Sequence, residues 1–160
     1  MIRLRDGAET DADRLFELDR VCFAAGTAYS LREFRWLLRS LKTLCIVVED
    51  DDALAGFAMA QESVIRKSRG GHIVTIDVAP EFRRHGVGRL LMQQIESRMR
   101  SRGAGWLRLE VAVNNSAALS FYAGLGFGRI GQIPNYYDGA IDAIVMEKSL
   151  AEPQALIPVT

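Results

Sequence analysis

A pair of glycines stands at the start of a predicted helix, among basic residues. Gly86 and Gly88 occupy positions where glycine costs roughly 1 kcal/mol relative to alanine, so their presence needs a reason. A helix start offers unpaired N–H groups and the positive end of the helix dipole, and a residue without Cβ lets a phosphate reach those donors. Arg83, Arg84 and Arg89 add positive charge in the same turn. The pattern predicts a cradle for an anion, most simply a pyrophosphate.

Two familiar phosphate-binding patterns do not fit this stretch. A dinucleotide fingerprint needs a third glycine, but position 91 is leucine, and the G-K-[ST] of a Walker loop is absent. The order Arg83, Gly86, Gly88 after a strand instead resembles R-x-x-G-x-G, the acetyl-coenzyme A signature of the GNAT acyltransferases. The resemblance implies acetyl-coenzyme A as co-substrate.

A second motif lies between Leu109 and Phe127. Asn115 and Tyr122 fit the N-x-x-A-x-x-x-Y pattern of the GNAT core, and Glu110 lies five residues before Asn115. With the later segment 135–137, these residues resemble the ribosomal-protein-alanine N-acetyltransferases and the eukaryotic protein N-terminal acetyltransferases. The resemblance spans roughly residues 44–148. The cofactor contacts that it implies are Ile76, Val78, Arg83, Arg84, His85, Gly86, Val87, Gly88, Arg89 and Asn115.

Acetyl transfer from a thioester to an amine requires two proton transfers. The attacking amine must lose a proton, and the departing thiolate must gain one. By resemblance, Glu110 is the base, acting through a water, and Tyr122 is the general acid. The residues alone leave other roles open, because Glu110 would also suit a solvated strand end and Tyr122 a core position.

The cofactor arm has two further predicted partners. Asn115 caps a helix by its sequence context and contacts the pantetheine arm by resemblance. The backbone from Ile76 to Val78 is expected to pair with the pantetheine amides as an added strand would, and its N–H groups would polarise the thioester carbonyl.

The acceptor amine is expected near three tyrosines. By resemblance, Tyr136 and Tyr137 line a slot for a peptide N-terminus. Tyr29 lies in a second predicted substrate-binding loop, residues 22–29, between the first two helices. That loop contains the small residues 24–26, which would leave room for the first side chain of a peptide. Two features depart from the relatives. Ala28 and Tyr29 precede Ser30 where relatives often carry proline and a bulky residue, and the Asp-Gly pair after the tyrosines comes one residue earlier than in the eukaryotic proteins.

These residues predict an acetyl-coenzyme A-dependent N-acetyltransferase whose preferred acceptor is a peptide or protein α-amine. The reaction would proceed by direct attack, because neither Cys22 nor Cys45 lies in a motif. Two alternatives stay open. The first is an acetyltransferase for a small amine, and the second is a coenzyme A-binding protein without activity.

Composition excludes several other classes. The 160 residues are 49% hydrophobic and 25% charged, as in ordinary globular proteins. Twenty basic residues balance twenty acidic ones, so no global field would attract nucleic acid or an anionic membrane. The two cysteines are expected to be reduced thiols in the core, and neither histidine has partners at metal-binding spacing. Without a signal-like segment, a cytoplasmic monomer or homodimer is expected.

Hydrophobic periodicity predicts alternating strands and helices over residues 1–150, followed by a loosely ordered tail, 151–160. The resemblance implies that these elements form an α/β domain of the GNAT fold. In that fold a mixed, mostly antiparallel sheet would carry helices on both faces and would splay at the strand that contains Val78. Two helix N-terminal capping boxes are predicted, one from Thr10 to Asp13 and one from Ser30 to Glu33. Two further helices are predicted to begin after Gly88 and after Asn115. Residues 66–71 are predicted to be a polar connector, and residues 134–139 a loop between the last two strands.

Overall fold

The structure, a computed structural model, describes residues 1–23 and 27–151. The small residues 24–26 and all of the predicted tail except Ala151 lie outside the described residues. Seven strands are present, namely β1 (Ile2–Asp6), β2 (Thr43–Asp50), β3 (Ala53–Ile65), β4 (Ser68–Val78), β5 (Trp106–Ala112), β6 (Gly128–Tyr137) and β7 (Ile141–Ser149). Four α-helices accompany them, namely α1 (Ala12–Cys22), α2 (Leu31–Arg39), α3 (Val87–Ser101) and α4 (Ser116–Gly124).

The strands form one sheet in the order β1-β2-β3-β4-β5-β7-β6. Every neighbouring pair is antiparallel except β4 and β5, which are parallel. The parallel pair is connected through α3, as parallel strands require a crossover. The predicted mixed, mostly antiparallel sheet is confirmed.

Helices cover both faces of this sheet, as predicted. Leu15 of α1 and Phe34 of α2 pack on one face with Phe57 of β3. Leu91 and Ile95 of α3 pack on the other, together with residues of α4. Strand β2 is buried on both faces, because its alternate side chains enter the two cores in turn.

Strands β4 and β5 separate soon after they meet. Their only paired positions in the described chain are Gly71 with Leu107 and His72 with Arg108, whereas β4 continues to Val78. Strand β4 also has a bulge beside Val74, where its register with β3 shifts. The resulting gap between the diverging strands, which we call the seam, is the predicted splay.

Two local predictions about turns and strands were wrong. The segment predicted as a polar connector is instead a tight hairpin, because Arg66 and Lys67 adopt left-handed φ values of 50° and 66° and β4 begins at Ser68. Tyr136 and Tyr137 end strand β6 rather than lying in a loop.

The two predicted capping boxes had different outcomes. Ser30 caps α2 through its hydroxyl, and Glu33 accepts the N–H of Ser30 in return, as predicted. The box at Thr10 does not form. The side chain of Asp11 accepts the N–H of Ala8 and two hydrogen bonds from Arg5, which starts a 3-10 turn before α1.

Candidate active site

The seam opens into a cleft of about 950 Å³. Both strands that form the seam line it, as do the start of α3 and one face of α4. The predicted site residues that line the cleft are Tyr29, Ile76, Val78, Arg83, Arg84, Gly86, Val87, Gly88, Arg89, Glu110, Asn115, Tyr122, Tyr136 and Tyr137. His85 is exposed and does not line the cleft. The fold therefore brings together the predicted cofactor, catalytic and acceptor residues.

The two glycines at the start of α3 serve different purposes. Gly86 has a left-handed φ of 81°, which side chains with a Cβ rarely adopt, and a Cβ there would meet nothing within 4 Å. A Cβ at Gly88 would lie 3.2 Å from the ring of Phe121 in α4. The glycine at 88 is thus also required for close packing of the two helices, which the sequence interpretation did not anticipate.

The arginines beside the cradle are not equivalent. Arg83 donates from Nε to the carbonyl of Val78 at 3.1 Å and from Nη2 to Sγ of Cys22 at 3.6 Å, which fixes its guanidinium against the end of β4. Arg84 and Arg89 are exposed at the mouth of the cleft. Arg83 therefore supports the strand end, and Arg84 and Arg89 remain the predicted phosphate contacts.

Helix α4 places Tyr122 against the cleft. Its ring packs edge-to-face with Phe121 and Phe127, at centroid distances of 5.2 and 5.7 Å. Burial, with a smaller contribution from Asp77, raises the pKa of Tyr122 well above its usual value. The hydroxyl therefore keeps its proton at neutral pH, as a proton donor must.

Asn115 caps α4 as predicted. Its side-chain oxygen accepts the N–H of Ala118 at 3.1 Å. The same oxygen keeps a second lone pair and the amide NH₂ group offers two donors, so Asn115 can cap the helix and still hydrogen-bond a cofactor.

Glu110 lies on β5 where the seam opens, and its partner is a residue that the sequence analysis did not select. Oε2 of Glu110 lies 2.6 Å from Nε2 of His72 on β4. The side chains are 19% and 33% exposed, respectively. The pair lies beside the last paired position of the two strands.

Three tyrosines surround the same end of the cleft. The rings of Tyr136 and Tyr137 meet edge-to-face at 4.9 Å, and Tyr29 donates its hydroxyl to the carbonyl of Val74 at 3.3 Å. Burial raises the pKa of all three phenols, to about 12 for Tyr137, and the charge of Glu110 adds to each shift. The tyrosines are thus neutral hydrogen-bonding groups close to that carboxylate.

A buried pair of carboxyl groups supports the cleft from behind. Asp19 of α1 accepts the N–H of Tyr29 at 2.7 Å, and Asp77 of β4 accepts the hydroxyl of Thr75. The two carboxyls interact electrostatically, and burial is the main cause that raises the pKa of both. No sequence signal joined these residues, since they are far apart in the chain.

Cys22 lies in the cleft wall rather than in the core, contrary to prediction. Burial raises the pKa of its thiol, which makes it a poor nucleophile at neutral pH. Cys45 is buried as expected. Within residues 1–23 and 27–151, no group of three or more His, Cys, Asp or Glu side chains is arranged to hold a metal ion.

A comparison with protein families identifies the chain. The sequence profile of the Acetyltransferase (GNAT) family matches residues 12–127, which include the cradle, Glu110 and Tyr122. The chain belongs to the GNAT acetyltransferase family. It is accordingly an acyltransferase that uses acetyl-coenzyme A, and the cradle at Gly86, the basic mouth and the cleft volume fit that co-substrate.

Several GNAT relatives resemble the chain along most of its length. An N-alpha-acetyltransferase of Sulfurisphaera tokodaii is 28% identical, covering 92% of this chain and 93% of its own. The crystal structure of the ribosomal-protein-S18-alanine N-acetyltransferase from Escherichia coli matches with a TM-score of 0.83 and 26% identity, covering 99% of this chain and 100% of that one. Nourseothricin acetyltransferase matches with a TM-score of 0.74 and 29% identity, covering 94% of this chain and 99% of that one.

None of the helices in the described ranges has the length and hydrophobicity that a membrane crossing requires.

Coenzyme A is expected to raise the melting temperature of this GNAT protein. A ligand that binds only the native state stabilises it by about 2.7 kcal/mol at a hundredfold excess over Kd. Gly88→Val should abolish this shift, because its side chain would enter the cradle and contact Phe121. Gly128→Val is the matched control, since a Cβ there meets nothing within 4 Å and the residue lies outside the cleft.

Differential scanning fluorimetry with and without millimolar coenzyme A measures both effects. The melting temperature of each variant without ligand is recorded first, so that lost packing at Phe121 is separated from lost binding. A wild-type protein that shows no shift would contradict the assignment of the cradle.

Proposed function

We propose that this enzyme acetylates the N-terminal α-amine of a peptide or protein, by direct attack of the amine on acetyl-coenzyme A. The observation that supports this acceptor best is the likeness over 92% of the chain to an N-alpha-acetyltransferase. The Escherichia coli structure, named for its action on a ribosomal protein alanine, supports it independently.

The geometry of the cleft is consistent with that acceptor. Tyr136 and Tyr137 close one side of the cleft around Glu110, and Tyr29 closes another. Aromatic side chains with neutral hydroxyls would flank an extended peptide backbone and accept or donate hydrogen bonds to it. The carboxylate of Glu110 then lies where the terminal amine would enter.

Proton energetics also favour an α-amine. Its pKa of about 7.7–8.0 makes deprotonation at pH 7 cost about 1 kcal/mol, whereas a lysine amine at about 10.4 costs roughly 4.6 kcal/mol. In the proposed mechanism Glu110 receives the amine proton through one water, and Tyr122 gives its proton to the departing thiolate. Backbone N–H groups at Ile76 and Val78 would polarise the thioester carbonyl. The raised pKa of the Cys22 thiol favours this direct route over an acyl-cysteine intermediate.

A second candidate acceptor is a small amine. Nourseothricin acetyltransferase, which shares 29% identity across 94% of this chain, is the observation in its favour. Balanced net charge offers no global acidic field for a polycation, but the carboxylate of Glu110 would attract any ammonium group.

A panel of acceptors distinguishes the two candidates. We expect kcat/KM for short peptides with free N-termini to exceed that for spermidine, free amino acids and nourseothricin, when acetyl-coenzyme A is held saturating. Peptides of the same sequence with blocked N-termini and one lysine are the matched controls, and they should react poorly. Faster turnover of a small amine, or equal turnover of the blocked peptides, would move the assignment to the second candidate.

A further inference from the structure

The contact between His72 and Glu110 is the strongest feature of the cleft that the proposed function does not use. It joins β4 to β5 at the position where their pairing ends, with Nε2 and Oε2 2.6 Å apart. A carboxylate oxygen and an imidazole nitrogen at this distance must have a proton between them. An ionised carboxylate has no proton to offer, so the imidazole donates its Nε2–H to Oε2 of Glu110.

We propose that His72 is a positioning residue for the base, holding one oxygen of Glu110 so that the other faces the cleft. This inference rests on the proposed role of Glu110. A carboxylate at the end of a flexible side chain would otherwise sample several rotamers, and fixing one oxygen directs the lone pairs of Oε1.

The groups packed around the pair do not supply a competing charge at Nε2. Gln61 is the neighbour of His72 on β3 and donates to Thr43, whereas Val145 is the neighbour of Glu110 on β7. Arg108, beside His72 on β5, is engaged with Glu147 and with the ring of Trp106. The three tyrosines that interact electrostatically with Glu110 have raised pKa values and stay neutral.

Two variants test the positioning role. His72→Gln keeps an N–H donor of similar reach, and His72→Phe removes the donor. We expect His72→Phe to lower kcat by about 10- to 100-fold, the scale for losing a group that orients a functional side chain, while KM for acetyl-coenzyme A stays unchanged. His72→Gln should recover most of that loss.

Rescue by His72→Gln, together with a loss of kcat at unchanged KM, provides the readout that a merely structural role would not move. Circular dichroism and melting temperature establish that each variant is folded.

Glu110→Gln, measured in parallel, distinguishes failure of this inference from failure of the proposed function. A large loss in Glu110→Gln with unchanged kcat in His72→Phe would overturn the positioning role alone. Wild-type rates in Glu110→Gln would overturn both. Equal losses of kcat in His72→Gln and His72→Phe would also refute the role of the His72 N–H donor.

Discussion

Replacement of Tyr122 by phenylalanine is expected to lower kcat by about 10²–10⁴, the scale for loss of a general acid. The substitution removes one oxygen and leaves the ring in its edge-to-face contacts with Phe121 and Phe127. Because burial raises the pKa of the phenol, its proton is present throughout the physiological range, so the loss should be similar at every pH between about 6 and 9.

Steady-state kinetics at saturating acetyl-coenzyme A measures this effect, and the thermal shift with coenzyme A is its control. Cofactor affinity should change little, because the lost hydroxyl acts on the departing sulfur rather than on the bound ground state. Turnover close to that of the wild type would return Tyr122 to a packing role.

Asp77→Asn is expected to stabilise the protein at alkaline pH. One oxygen of Asp19 and one of Asp77 are buried with no hydrogen-bond donor within the described residues. The carboxyl pair therefore needs a shared proton to avoid two facing charges. An asparagine at 77 would supply a permanent N–H donor to Asp19 in place of that proton.

The sign of the effect follows from linkage. The pKa of both carboxyls is raised in the folded protein, above the usual 3.8, chiefly by burial. At pH values between the pKa of a carboxyl in the unfolded state and its raised pKa in the folded state, the folded protein thus binds more protons than the unfolded chain. Stability that is fully present below the unfolded pKa is lost as the pH rises through that window, by up to about 1.4 kcal/mol per pH unit and proton.

Urea denaturation at about pH 5, 7 and 8.5 tests this expectation. The wild type should lose stability along this series, and Asp77→Asn should lose less. Asp142→Asn is the matched control, because the N–H of Asn135 and then Gln132 lower the pKa of that exposed carboxyl. The stability that the Asp142 carboxylate contributes is lost only as the pH falls through its lowered pKa. Parallel curves for wild type and Asp77→Asn would refute the shared proton.

Local signals explain which elements were predictable. The box from Ser30 to Glu33 is complete within four residues, and the end of β4 at Val78 follows from the proline two positions later. The Thr10 box failed because Arg5, on a different element, recruits Asp11. The early start of β4 was missed because its turn uses Arg66 and Lys67 in place of the usual glycine or asparagine.

The residues of the site were also predictable only where the signal is local. Motifs located the cradle, Glu110 and Tyr122, because each motif consists of residues close in sequence. His72 with Glu110 and Asp19 with Asp77 depend on strand and helix neighbours 38 and about 60 residues apart. Charges that meet only through sheet register leave no pattern along the chain, so these pairs required the structure.

The seam also divides the sheet into two units of unequal folding topology. In the four strands before it, each pairs with the next along the chain, so contacts close short loops and cost little chain entropy. Beyond the seam, β5 pairs with β7, and α4 and β6 lie between these two strands in the sequence. Pairing of β5 with β7 therefore closes a longer loop. Within the part of the chain that the structure describes, two paired positions join the halves. We expect the later half to open first in the native state, and a ligand that fills the seam to couple the halves into one cooperative unit.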